Sequence, residues 1–182
     1  MQALDVAALA ATVLARPAVG RIRLVTVDGL SGSGKTRLAG ALAAALAGTP
    51  VVHLDDLYPG WNGLLAGVRY AAEQVAAPLV AGRTARWRRW DWARGARGAW
   101  SVTAPAPVVL LEGCGAGAPP LRACAATSIW IETPAQLREL RLRARADWAA
   151  YAAHRATWVA QEEALAATGR AAESADVVVD GA

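Results

Sequence analysis

The 182-residue chain contains no phenylalanine, one methionine, two histidines and only two cysteines, Cys114 and Cys124. Two cysteines exclude a disulfide framework, and neither has His or Cys neighbours at zinc-ligand spacing; they suit a reducing compartment. Long apolar runs are missing as well. The longest stretch, Leu38 to Leu46, is interrupted by Gly40 and falls far below the ~18–20 residues of a membrane-spanning helix. The opening Met1-Gln2-Ala3-Leu4-Asp5 has no basic run of the kind that starts a secretory leader, so the expectation is a soluble, cytoplasmic protein without a membrane partner. Neither a Pro/Ser-rich linker nor a fixed-period repeat interrupts the chain, and residues 1–182 read as one domain. Lysine is nearly absent too: of 19 basic residues, Lys35 alone is lysine.

What is present describes a folded chain. Hydrophobic residues make up 55% and charged residues 19%, with mean hydropathy +0.25, which excludes a disordered polymer. The formal net charge of +4 is compatible with nucleic acid, nucleotides or phosphorylated small molecules and does not choose among them. Abundant alanine favours helix but blurs hydrophobic periodicity, because alanine is tolerated inside and outside.

Strand-like and helix-like segments alternate. Residues 2–15 suit an amphipathic helix that stops before Pro17. Residues 21–27 alternate and are β-branched, as a strand requires. A Gly/Ser turn over 29–34 leads into a helix over 36–47, closed by Gly48. Residues 51–54 form a short strand stopped by Asp55-Asp56, and 64–77 a helical stretch. The apolar run 108–111 has the pattern of a strand buried on both faces. Residues 128–131 and 176–179 complete the strands, with a long helical region over 134–168 between them. Such alternation predicts a short parallel sheet flanked by helices.

Gly29-Leu30-Ser31-Gly32-Ser33-Gly34-Lys35-Thr36 has the spacing G-x-x-x-x-G-K-[ST]. Glycines let the backbone adopt positive φ and turn its N–H groups onto a phosphate chain, and the following helix offers its positive end to the same anion. Gly29, Ser31, Gly32, Ser33 and Gly34 are therefore candidate phosphate ligands. Lys35 reaches the terminal phosphates, and the Thr36 hydroxyl suits Mg²⁺. The only lysine occupies the position where a lysine is needed. Asp55-Asp56 and Glu112 each end a strand on the side of the sheet where ligands bind in open α/β folds. An acid there serves as metal ligand or base.

Taken in order, Val27-Asp28-Gly29 with the loop, Leu54-Asp55-Asp56-Leu57-Tyr58 and Leu111-Glu112-Gly113 resemble the uridine kinase and phosphoribulokinase group of P-loop kinases. That resemblance implies a three-layer P-loop NTPase fold with a mobile, arginine-rich lid, and ATP and Mg²⁺ as cofactors. It maps a catalytic aspartate onto Asp55, a base-contacting tyrosine onto Tyr58 and a metal-associated acid onto Glu112, beside Thr36. Arg138, Arg141 and Arg145 share a helical face and are similar to the family's lid run, so Arg141 and Arg145 are candidates for stabilising the transferring phosphoryl group; the lid is expected over about 138–158. Leu142 and the inserted Ala146 depart from the family pattern, and a solvated helix face is the alternative.

Residues 83–97 interleave six arginines with Trp87, Trp90 and Trp92 around Asp91. Substrate binding, with Arg89 and Asp91 as contacts, and simple packing are both open, and single-stranded RNA binding is the weaker reading. His53 reads as a satisfied side chain, His154 as exposed, and Trp148, Tyr151 and Trp158 as packing. The expected activity is transfer of the γ-phosphate of MgATP to a hydroxyl of a nucleoside-like small molecule. Other small alcohols are the alternative, as is an ATP-binding regulatory or RNA-binding module without kinase activity. A homo-oligomer is compatible with either.

Overall fold

In the computed structural model, which describes residues 5–182, five parallel strands form the centre of the molecule. They are β1 (Arg23–Asp28), β2 (Val51–His53), β5 (Val108–Glu112), β6 (Thr127–Glu132) and β7 (Val177–Asp180). Their order across the sheet is β2-β5-β1-β6-β7. In β5 all five residues are buried, because the sheet is covered on both faces. Alternate side chains sort into two cores. Val25, Val27, Val108, Leu110 and Ile129 pack with α1 (Val6–Ala15) and α2 (Lys35–Ala45). Leu24, Val109 and Leu111 join the opposite core, with α3 (Leu64–Ala71) and α5 (Pro119–Arg122). Each fully buried leucine contributes ~1.5–3 kcal/mol relative to exposure.

The first helix starts at Val6, where Asp5 accepts a hydrogen bond from the Ala8 N–H; the expected residues 2–4 lie outside the described residues. Helix α3 continues through a π-helical stretch, Ala72–Ala76, into α4 (Ala77–Val80), with Pro78 in its first turn. Pro78 has no N–H to donate to a preceding carbonyl, which fits a locally widened helix there. The expected single helical region over 134–168 is three helices: α6 (Ala135–Arg143), α7 (Trp148–Ala152) and α8 (Arg155–Gly169). An Arg145–Asp147 ion pair occupies the first break.

The Arg/Trp-rich segment is a β-hairpin, β3 (Ala85–Asp91) with β4 (Ala96–Thr103). Alternation is the reason: Trp87 is buried while Arg86 and Arg88 point outward, so one face packs on the body and the other carries charge. Gly95 closes the turn at φ +60. Arg97 lies over the Tyr70 ring at 3.8 Å and anchors the hairpin to α3.

Among the described residues, no helix is long and apolar enough to cross a membrane. Parallel pairing sets the functional edge. Val27 and His53 both lie opposite Glu112 in register, so the chain leaves β1, β2 and β5 at one level and delivers Asp28, Asp55 and Glu112 to the same end of the sheet.

Candidate active site

The loop after β1 is shaped by its glycines. Gly29, Gly32 and Gly34 have φ of +151, +81 and +102, a region that side chains rarely adopt. A Cβ at Gly32 would come within 2.6 Å of the Arg138 carbonyl oxygen, so α6 packs directly on the loop. A Cβ at Gly34 would instead project into open space, with Arg141 Nη1 4.0 Å away as its nearest neighbour. The loop therefore leaves room for an anion on one side and is braced by α6 on the other.

Asp28 fixes the loop from below. Its buried carboxylate accepts from the N–H groups of Gly29 at 2.7 Å, Gly115 at 2.9 Å and Gly117 at 2.8 Å. Burial raises its pKa, while these donors and Lys35 act in the opposite direction. The Lys35 ammonium donates to the carbonyls of Gly29 at 2.9 Å and Leu30 at 3.2 Å. Burial works against its charge, yet Cys114, Glu162, Asp28 and Glu112 around it hold its pKa above the ordinary lysine value.

A cleft of about 810 Å³ opens above the loop. Gly32, Gly34, Lys35, Thr36, Asp55, Glu112, Arg141 and Arg145 are among the residues that line it. The Thr36 hydroxyl donates to Glu112 Oε1 at 3.1 Å, and His53 Nδ1 stands 2.5 Å from the same oxygen. Hydrogen bonding to Glu112 is the main cause of the raised His53 pKa. Asp55 is open to the cleft, but the surrounding walls desolvate it. That desolvation and the nearby Glu112 charge raise its pKa, against the pull of Lys35, Arg145 and His53. Arg141 donates to the Ser33 carbonyl at 3.4 Å. Arg145 holds Asp147 bidentately, at 2.8 and 2.5 Å.

Aromatic side chains line the same cleft: Tyr58, Trp61, Trp92, Tyr151 and Trp158. Trp61 organises them, stacked on His154 at 4.7 Å and packed against Trp92 at 4.8 Å. Trp158 meets Tyr58 edge-on at 5.0 Å. The Tyr151 hydroxyl is buried without a hydrogen-bond partner.

The structure thus brings together Lys35, Thr36, Asp55, Glu112, Arg141 and Arg145, together with the loop residues Ser31, Gly32 and Gly34. Gly29 and Ser33 belong to the same turn but do not line the cleft. Tyr58 borders it, although its hydroxyl is buried and donates to the Cys114 carbonyl at 2.7 Å. Arg89 and Asp91 are not brought to the cleft. Arg89 pairs with Asp56 at 2.8 Å, and Asp91 accepts from the Arg94 N–H at 2.9 Å within the hairpin turn. It is Trp92, from that turn, that reaches the cleft, donating its indole N–H to the Asp55 carbonyl at 3.0 Å.

The sequence does not mark Trp61 or Glu162 as belonging to this site. Trp61 follows a Pro-Gly turn and carries no periodic signal. His53 is the satisfied, half-buried strand residue expected, and its partner is Glu112 on a different strand. Glu162 is buried in an otherwise unremarkable alanine-rich helix, and the only local hint is Trp158 four residues before it.

The parallel sheet of five strands flanked by helices is a fold shared with solved kinases. Solved structures agree over nearly the whole chain. The chain is similar to a structure described as a possible uridine kinase from Bacillus stearothermophilus, with TM-score 0.71 and 20% identity over 96% of this chain and 97% of that one. It is similar to a candidate fructose transport system kinase from Silicibacter sp. TM1040, with TM-score 0.69 and 26% identity over 97% and 99%. Shikimate kinase from Bacteroides thetaiotaomicron shares the fold at TM-score 0.53 and 16% identity, over 87% and 86%. No family model matches the chain, and no curated protein matches it.

Proposed function

We propose that the protein is an ATP-dependent phosphotransferase that moves the γ-phosphate of MgATP to a hydroxyl of a small molecule, nucleoside-like in shape. The observation that carries this reading is Asp55, a carboxylate with a raised pKa that opens on the same cleft as the phosphate-loop groups Lys35 and Thr36. A module that only binds a nucleotide has no use for a base at that point. The kinases among the structural neighbours support the reaction class.

The residues fit a phosphate chain and a hard cation. The space over Gly34 is bounded by an arginine, and the Thr36 and Glu112 oxygens are adjacent, an all-oxygen donor set of the kind Mg²⁺ takes. Thr36 and Glu112 would hold Mg²⁺, which would supply positive charge to offset the negative charge of the phosphates. The protein supplies the rest. The loop N–H groups and Lys35 hold the phosphates. Asp55 accepts the proton of the acceptor hydroxyl as its oxygen attacks phosphorus. Arg141 and Arg145 approach from the lid side and stabilise the charge that spreads over the transferred group. The aromatic wall excludes water and offers flat surfaces to the acceptor, which is why a nucleoside is favoured over a small linear alcohol. Tyr58 contributes its ring rather than its hydroxyl. Arg89 and Asp91, which stand outside the cleft, make no contact with the acceptor in this reading.

The test is ADP release from MgATP with a panel of nucleosides and sugar alcohols. Stimulation by one small alcohol is expected, and Asp55→Asn should abolish it while leaving MgATP binding intact. Stimulation by RNA alone, or none by any alcohol, would reject the proposal.

A further inference from the structure

Glu162 is a buried acid at this site that the proposed chemistry does not use. It lies on α8, beyond the lid, yet its side chain reaches the phosphate loop. Oε1 accepts from the Ser31 N–H at 3.1 Å, from the Ser31 hydroxyl, from Cys114 Sγ at 2.7 Å and from the Trp158 indole N–H at 2.8 Å. Oε2 is 3.3 Å from the Ser31 nitrogen. Every partner is a donor. A carboxylate satisfies such a set, whereas an amide of the same shape has an NH₂ group that can only donate. Only about 3% of Glu162 is exposed, so each of these bonds is made in a poorly solvated setting where losing a partner is costly.

Ser31 is gripped from two sides by the same limb of the chain. Glu162 takes its N–H and hydroxyl, while Arg138 of α6 donates to its carbonyl at 3.3 Å. Trp158, the third partner of Glu162, also forms part of the aromatic wall of the cleft, against Tyr58 and Trp61. One carboxylate therefore joins the wall that faces the acceptor to the backbone that faces the phosphates.

We propose that Glu162 is a positioning residue: it holds the loop at Ser31 in the form that receives nucleotide phosphates and transmits to it the placement of Trp158. This rests on the reading of residues 29–36 as a nucleotide-phosphate loop. It goes beyond that reading, because nothing in the loop motif requires an acid from a helix more than a hundred residues away.

The experiment measures MgADP affinity by titration calorimetry, and exchange of the Ser31 amide hydrogen without nucleotide, in wild type, Ser31→Ala, Trp158→Phe, Glu162→Gln and the Ser31→Ala/Glu162→Gln pair. Hydrogen bonds to a charged group are strong enough that Glu162→Gln should weaken MgADP about 10-fold and speed Ser31 exchange by a similar factor. Trp158→Phe keeps an aromatic ring, deletes the N–H donor together with part of the ring surface, and should weaken MgADP several-fold. The paired variant should be no weaker than Glu162→Gln alone, because both changes weaken the same Ser31–Glu162 contact. If Glu162→Gln cannot be obtained folded, Ser31→Ala and Trp158→Phe decide the matter, since each removes one bond to the same carboxylate. Faster Ser31 exchange with MgADP affinity unchanged within twofold would make Glu162 merely structural and overturn the proposal. So would unchanged affinity in Trp158→Phe, or additive losses in the pair. Absence of MgADP binding by the wild type would instead overturn the nucleotide reading itself, and this inference with it.

Discussion

Single side chains set the chemistry through their surroundings. Asp55 is raised in pKa by desolvation and by Glu112, and a base works only when deprotonated. Activity should therefore be present above its pKa and fall as pH drops through it. The acid limb of kcat/KM is expected at higher pH than an ordinary aspartate would place it. Arg145→Ala removes a charge that pulls the Asp55 pKa down, and should move that limb further upward in a pH–rate profile. Asp55→Asn should lower kcat by ~10²–10⁴-fold, the usual contribution of a positioned base, with MgATP affinity preserved. A loss confined to KM would place Asp55 outside the proton transfer. Asp55 and Glu112 were both legible in the sequence, because acids at strand ends face the ligand edge of a parallel sheet. The Glu112 contacts with His53 and Thr36 were not, since they join β2, β5 and α2, separated by up to 76 residues.

At the scale of elements, the hairpin and the final strand differ in how openly the sequence announced them. Strand β7 was recognisable from its three consecutive valines. Its attachment depends on Asp176, which accepts from the Ser128 N–H at 2.8 Å, the Ser128 hydroxyl at 2.9 Å and Arg16 at 2.7 Å. Burial raises the Asp176 pKa, but these partners outweigh it and hold the value below the ordinary one for aspartate. The stabilisation is present above the unfolded value and is lost as pH falls through the lower, folded one. Asp176→Asn should cost about 1–2 kcal/mol near neutrality. In urea titrations the gap from wild type should narrow below about pH 4; a constant gap would contradict the assignment.

The hairpin was hidden by its composition. Alternating arginine and tryptophan suited a binding segment or a packed one, and only the fold shows that Trp87 faces inward while Trp92 reaches the cleft. Trp92→Ala should raise KM for the acceptor about 10-fold, as expected when an aromatic wall is lost. Trp100→Ala, on the exposed outer face (62% exposed), should leave that KM unchanged. Steady-state kinetics on the two variants checks this, and equal effects would count against Trp92 as part of the acceptor wall.

The whole molecule responds to ligand as a linked system. A nucleotide that binds only the folded form stabilises it by ~2.7 kcal/mol at a hundredfold excess over Kd. Thermal denaturation with MgATP should therefore rise by several degrees. Lys35→Ala should remove most of that shift and also lower the unliganded midpoint, because it leaves two loop carbonyls and the buried Asp28 without their cation. Failure of the wild type to shift would argue against the phosphate loop as a nucleotide site.

The order of strands and helices, the glycine loop and the acids at strand ends were already present in the linear chain. Backbone preferences and hydrophobic patterning act over a few residues, and a phosphate loop is a local object. Division of the long helical region around the Arg145–Asp147 pair, the capture of Trp92 by the cleft and the reach of Glu162 to Ser31 arose only in three dimensions. Each depends on groups distant in sequence meeting where water is excluded, and there the strength of a hydrogen bond is set by neighbours that no local window contains.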